Sequence, residues 1–247
     1  MKKLIYQLGT ILLLLVIWEF VVGFLNIPSF LLPGPIEIIT VFIQNFSILT
    51  EHAFWTLSEI LSGFFVAVIF AFIVAILGVY SRYVKEIIHP MLVGVQIVPK
   101  IALIPLLLIW FGHGILPKLI TVSLVCFFPI FINLNKGIES VNKGFINIMK
   151  AAGSTKTEIL RNVQIPYSLP YLFTGLKIGI ALASVGAIVA EFISSSVGLG
   201  YQISYSASLL DSAMVFAGLL YVVLIGLIMY FAVVFIEKRV VFWREEL

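Results

Sequence analysis

Apolar residues run through this chain in long blocks, broken by short polar stretches. A helix needs about 20 consecutive apolar residues to cross a bilayer, and six blocks meet that length, at about 4–25, 55–80, 91–110, 117–134, 169–192 and 213–236. The pattern predicts an all-α fold: a polytopic helical membrane protein with about six transmembrane helices, forming a single transmembrane domain over residues 1–247. The first block follows Met1-Lys2-Lys3, as in a signal peptide. It continues past Trp18 to Leu25 with no small-residue cleavage pattern, which predicts a retained span.

Two blocks carry small residues at every fourth position: Gly63, Ala67, Ala71 and Ala75 in the second, and Gly175, Gly179, Ala183 and Ala187 in the fifth. Small side chains let helix backbones approach closely inside a membrane, where the hydrophobic effect does not drive helices together. The third block holds Pro99, Lys100 and Pro105. Each proline removes a backbone donor, so this span is expected to be kinked or broken and shielded by neighbours.

One long polar interval, at about 136–168, separates the fourth and fifth blocks. Gly153 can end a first helix there in the left-handed conformation. Thr155 and Glu158 have the spacing of a capping box that starts a second helix, and Pro166 is expected to end it. Pro170 then falls in the opening turn of the fifth span. Lys136, Lys143, Lys150, Lys156 and Arg161 make the interval basic. A loop of this kind serves as a docking surface for a soluble partner. The plainer alternative, a basic helix lying on lipid headgroups, explains the charge but not the glycine, cap and proline together.

Charge sets the orientation. With the N-terminus inside, twelve of the fifteen Lys and Arg residues fall on the cytoplasmic side, including Lys2, Lys3, Arg82, Lys85, Lys238, Arg239 and Arg244. The excess of basic residues therefore predicts that both termini are cytoplasmic. Lys118 lies near an outer loop, while Lys100 and Lys177 lie inside spans. An ammonium group at that depth faces protein or water. Lys100 and Lys177, with Ser184 on the same face as Lys177, are thus candidate pathway residues for an anionic solute. The structural alternative is pairing with carboxylates or backbone carbonyls. Interfacial capping or pairing is the expected role of Glu19, Glu59 and Glu191.

Composition agrees with a membrane protein: 62% of residues are hydrophobic and 11% charged. The net charge of +3 is no basis for nucleic-acid binding, and Cys126 cannot form an internal disulfide. No phosphate-loop, nucleophile-elbow or His-Glu-x-x-His motif occurs, and the three histidines are scattered. No catalytic residue, metal site or cofactor is therefore assigned to this chain. An ion channel or ion-coupled carrier, or an integral-membrane enzyme, remains an alternative to transport driven by a partner.

Specific motifs now enter. Gly153-Ser154-Thr155, Ile165-Pro166, Leu169-Pro170-Tyr171 and Thr174-Gly175-Leu176-Lys177 resemble the EAA loop region of binding-protein-dependent ABC importer permeases. Ala190-Glu191-Phe192 and Gly198-Leu199-Gly200-Tyr201 continue the match. Trp18-Glu19, Leu32-Pro33-Gly34-Pro35, Pro99-Lys100, Pro105-Leu106 and Trp110-Phe111-Gly112 resemble its nitrate/sulfonate/taurine branch, which includes thiamine-precursor importers.

The resemblance implies a bacterial inner-membrane permease with no ATPase activity of its own. It also implies a second permease subunit, usually alike in this branch, a pair of ATP-binding subunits carrying ATP and Mg, and an extracytoplasmic solute-binding protein. The solute would be small, and anionic or heteroaromatic. The coupling residues would be Asn147, Met149, Ala151, Ala152, Gly153, Thr155, Glu158, Arg161 and Pro166. One departure stands out: Asn147, Ile148 and Met149 occupy the Glu-Ala-Ala positions, while Ala151-Ala152 lies too close to the glycine.

Overall fold

The computed structural model describes residues 2–243. Arg244, and the side chains of Lys2 and Lys3, fall outside the described residues. Along the chain run α1 (Lys2–Phe24), α2 (Pro35–Gln44), α3 (Phe46–Tyr80), α4 (His89–Val95), α5 (Ile104–Phe111), α6 (Ile115–Glu139), α7 (Lys143–Ala151), α8 (Lys156–Ile159), α9 (Ile165–Ser194), α10 (Leu199–Ser208) and α11 (Ser212–Val240). No strand occurs among the described residues.

Four helices are long and apolar enough to cross a membrane: α3, α6, α11 and the continuous stretch Lys156–Ser194. The expected third span is a broken one. Val84–Val95 and Lys100–Phe111 meet at 86°. The break ends at Pro99, which has no donor to continue a straight helix, whereas Pro105 falls in the first turn of α5 and is accommodated there. The expected first span falls on α1, whose apolar part Gly9–Phe24 is shorter than those four helices, so among the described residues the expected six or so spans become four, or five with the bent pair.

Helix α6 is the centre of the bundle, with α3 on one side and α9 on the other. The small-residue stripes set both contacts. A Cβ on Gly63 would come within 2.6 Å of Val122, and one on Gly179 within 3.0 Å of Ile130. All eight stripe residues are buried. Between them lie Phe131, Leu134, Val122 and Ile60, all fully enclosed. The stripes are packing surfaces, and they pack on the same helix.

Three expected boundaries differ. The second span begins at Phe46, not near residue 55, and forms a 35-residue helix. The expected outer stretch from Asn26 to Phe54 contains α2 as well. Glu19 accepts the Ile36 N–H at 3.0 Å, so a carboxylate from α1 supplies the missing partner at the N-terminus of α2. A Cβ on Gly34 would meet that carboxylate at 2.9 Å. The third difference concerns Pro166, which does not end a helix, and it bears directly on the loop.

Candidate functional site

The interval between α6 and α9 forms one end of the bundle, called here the loop end. Helix α7 begins where the Asn142 side chain accepts the Gly144 N–H at 2.7 Å. Its turns expose Phe145 (59%) and Ile148 (67%) beside exposed Asn147, Ala151 and Ala152, while Met149 is half-buried. Gly153 (φ +81°) then closes the helix. The Gly153 N–H bonds to the Lys150 carbonyl and the Ser154 N–H to that of Met149, each at 3.0 Å. These two bonds are the Schellman arrangement, which requires the left-handed conformation. A Cβ at Gly153 would have nothing within 4 Å, so the glycine is needed for its backbone angle and not for space.

The capping box is present as expected. The Thr155 hydroxyl accepts the Glu158 N–H at 3.3 Å, and the Glu158 carboxylate accepts the Thr155 N–H at 2.7 Å. The Thr155 N–H and the Thr155 hydroxyl, which donates to the same carboxylate at 2.9 Å, hold the exposed Glu158 carboxyl below its ordinary pKa. The cap therefore contributes fully at neutral pH and is lost as pH falls through the lowered pKa. Arg161 and Lys156 are exposed, and Ile159 is buried.

Pro166 lies inside the continuing helix. Residues Leu160–Gln164 form a π turn in which the Ile165 N–H bonds to the Leu160 carbonyl. Widening the turn just before the proline moves the ring away from the carbonyl it would strike in an α-helix. The same solution occurs at Val84–Ile88, where the His89 N–H bonds to the Val84 carbonyl just before Pro90. A single helical rod thus runs from the capping box to Ser194: 39 residues, or about 58 Å.

The other end of this rod, the far end, carries Glu191 in a buried polar cluster. The Glu191 carboxylate accepts the Thr56 hydroxyl at 2.7 Å and the Gly200 N–H at 2.6 Å. Thr56 in turn accepts the Leu199 N–H at 2.8 Å, and His52 Nδ1 accepts that of Gly198 at 3.0 Å. The first backbone donors of α10 are therefore met by α3 and α9. This explains the two glycines of the Gly198–Tyr201 motif. Gly198 has φ +103°, and a Cβ there would overlap the Glu191 carboxylate. A Cβ on Gly200 would fall 2.6 Å from the Ile188 carbonyl oxygen. Beside this cluster, Lys118 donates to Glu59 and, at 3.0 Å, to Ser195. Both members of the pair are buried.

The lysines singled out in the sequence are placed as follows. Lys177 donates to Glu237 of α11 at 2.8 Å, and the pair is partly buried. Lys100 donates to the Gln96 carbonyl at 2.7 Å, and its ammonium lies 4.7 Å from the centre of the Phe128 ring. Ser184 is buried, and its hydroxyl has no hydrogen-bond partner among the described residues. The structure does not bring these three together: Lys177 is held to α11, and Lys100 lies on the bent segment.

A pairing or capping role was expected for Glu59, but sequence reasoning did not identify Lys118 as its partner, and it missed the Thr56 contribution and the exposed apolar surface of Phe145. The available signal was a charged residue close to the start of each of two apolar blocks. Its partner could not be read off, because the pair is 59 positions apart.

The family model described as "Binding-protein-dependent transport system inner membrane component" matches residues 67–242, and the chain belongs to this family. Its curated relatives include a riboflavin transport system permease protein (RibX) of Chloroflexus aurantiacus, 36% identical over 95% of this chain and 88% of that protein. A formylaminopyrimidine transport permease protein (ThiX) of Halalkalibacterium halodurans is 32% identical over 95% and 94%. A taurine transport system permease protein (TauC) of Escherichia coli is 27% identical over 99% and 92%. Among solved structures, an inward-facing MetNI methionine ABC transporter shares the fold, with a TM-score of 0.69 and 18% identity over 79% of this chain and 97% of that one.

The resemblance seen in the motifs, to the nitrate/sulfonate/taurine-type branch, is thereby borne out. The chain is a multi-pass inner-membrane permease subunit of an ABC importer for a small solute.

Proposed function

We propose that two copies of this chain form the pathway by which a small heteroaromatic or anionic solute, delivered by an extracytoplasmic binding protein, enters the cytoplasm. A separate pair of ATP-binding subunits, carrying ATP and Mg, docks on the loop end and supplies the energy. Two relatives above 30% identity are named for heteroaromatic cargo and a more distant one for a sulfonate, which supports this solute class. The distribution of basic residues supports placing the loop end and both termini in the cytoplasm.

The observation that carries the mechanism is the unbroken rod Lys156–Ser194. Its cytoplasmic end is capped beside the exposed apolar turn of α7, and its outer end bears Glu191. ATP-driven closure of the ATPase pair displaces the loop. A rod anchored at both ends transmits that displacement to the outer cluster. Coupling requires the loop to make different contacts in the two states. Phe145 and Ile148 provide an apolar surface for those contacts in place of the family's Glu-Ala-Ala residues.

Replacing Gly153 with valine forces a β-branched residue to φ +81°, a strain on the order of 1–3 kcal/mol. ATP-dependent uptake into proteoliposomes should be abolished, while the protein still inserts and assembles. Unchanged uptake would overturn the coupling role, and wild-type uptake without ATP would overturn the importer reading.

A further inference from the structure

Near the loop end, α6 and α9 are drawn together at two glycines. A Cβ on Gly137 would lie 2.8 Å from that of Ser168, and one on Gly175 would lie 2.8 Å from the Pro129 carbonyl oxygen. Beside this close seam is a cavity of about 580 Å³. Asn133 and Lys136 of α6 and Tyr167, Tyr171 and Thr174 of α9 wall it, and Trp243 completes it from the segment after α11. Its volume suits a small organic molecule, for which pockets of about 300–1,000 Å³ are usual.

The lining has a definite chemistry. Three aromatic residues and one lysine line the cavity, and among the described residues no carboxylate does. Lys136 has no ion-pair partner among the described residues. The acid one turn along its helix, Glu139, is engaged by Lys85 at 3.1 Å. Asn133 donates its amide to the Pro129 carbonyl at 2.8 Å, which leaves its side-chain oxygen as an acceptor. Aromatic faces favour planar rings, and a lysine without a carboxylate favours an anion.

We propose that this cavity binds a planar aromatic anion, with the ring against Tyr167, Tyr171 and Trp243 and the negative group on Lys136. Such a ligand meets the permease from the cytoplasm, a direction that rests on the orientation proposed above; the binding itself does not depend on it.

The test uses the full-length chain assembled with its ATPase in nanodiscs. Flavin mononucleotide is the anionic probe and riboflavin its uncharged counterpart, with binding read from quenching of flavin fluorescence. Saturable binding of flavin mononucleotide is expected. Lys136→Met should weaken it by roughly tenfold or more, the loss expected for one charge-assisted hydrogen bond. Riboflavin binding should be unaffected by Lys136→Met, whereas Tyr171→Ala should weaken both. Lys136→Arg keeps the charge and should bind as wild type does, which separates the ammonium's role from a folding defect.

Absence of saturable quenching overturns the site, as does wild-type affinity in both Lys136→Met and Tyr171→Ala. An equal loss of both flavins in Lys136→Met overturns the charge recognition. ATP-dependent uptake by the same complex keeps the two readings apart: uptake without flavin binding defeats only this site, and flavin binding without uptake defeats only the import reading.

Discussion

Lys118 and Lys177 carry charge into an apolar bundle, and each meets a carboxylate from another helix. The energetic stake differs with burial. Side chains in the Lys118–Glu59 pair are only 7% and 2% exposed, against 24% and 14% for Lys177–Glu237. Removing one member of a buried pair strands the other charge, at a cost of about 3–5 kcal/mol. Lys118→Met should therefore lower thermal stability in detergent sharply, and adding Glu59→Gln should restore part of the loss. If the double variant is no more stable than the single one, the stranded carboxylate is not the cause. Such pairs show where the sequence ceases to be readable. Thr155 and Glu158 could be matched because they lie three residues apart on one turn. Glu191 and Thr56 lie 135 positions apart, and only the packing of α3 against α9 makes them neighbours.

Among the elements, the rod that joins the loop to the far end carries the proposed coupling. Its two halves were legible in the residues: the cap at Thr155 and the stripe Gly175–Gly179–Ala183–Ala187. Their continuity was not, because Pro166 reads as a stop in a helix bonded i to i−4. The π turn at Leu160–Gln164 avoids the clash and keeps the helix going. Hidden in the same way was the bend of the third span, whose prolines announce a break but not its 86° angle. Continuity makes a mechanical prediction. Two glycines inserted between Gln164 and Ile165 should leave the complex assembled and its ATPase active, while uptake per ATP hydrolysed falls to background. Measured in proteoliposomes, uptake that stays in proportion to hydrolysis would show that force does not travel along this helix.

At the scale of the whole molecule, the bent third span is a surface that the folded chain leaves uncovered. Between Val95 and Lys100 the backbone is not helical, Gln96 and Pro99 are exposed, and Ile97 is 84% exposed. Irregular backbone at membrane depth is tolerated only against protein or beside a water-filled cavity. In the proposed importer of two copies, that cover would be the second subunit or the pathway between the subunits. Lys100 sits at the edge of this segment, with its ammonium over Phe128 and held by a single backbone carbonyl. Lys177 differs in having a carboxylate partner, so the two lysines should respond differently to loss of charge. Lys100→Met should raise the concentration of an anionic solute needed for half-maximal uptake and leave thermal stability nearly unchanged. Lys177→Met should lower stability first. The cognate solute for this measurement comes from thermal-shift screening of the binding protein. If Lys100→Met transports an anion as wild type does, the ammonium serves only to pack the bend against α6, and solute selection lies elsewhere in the assembly.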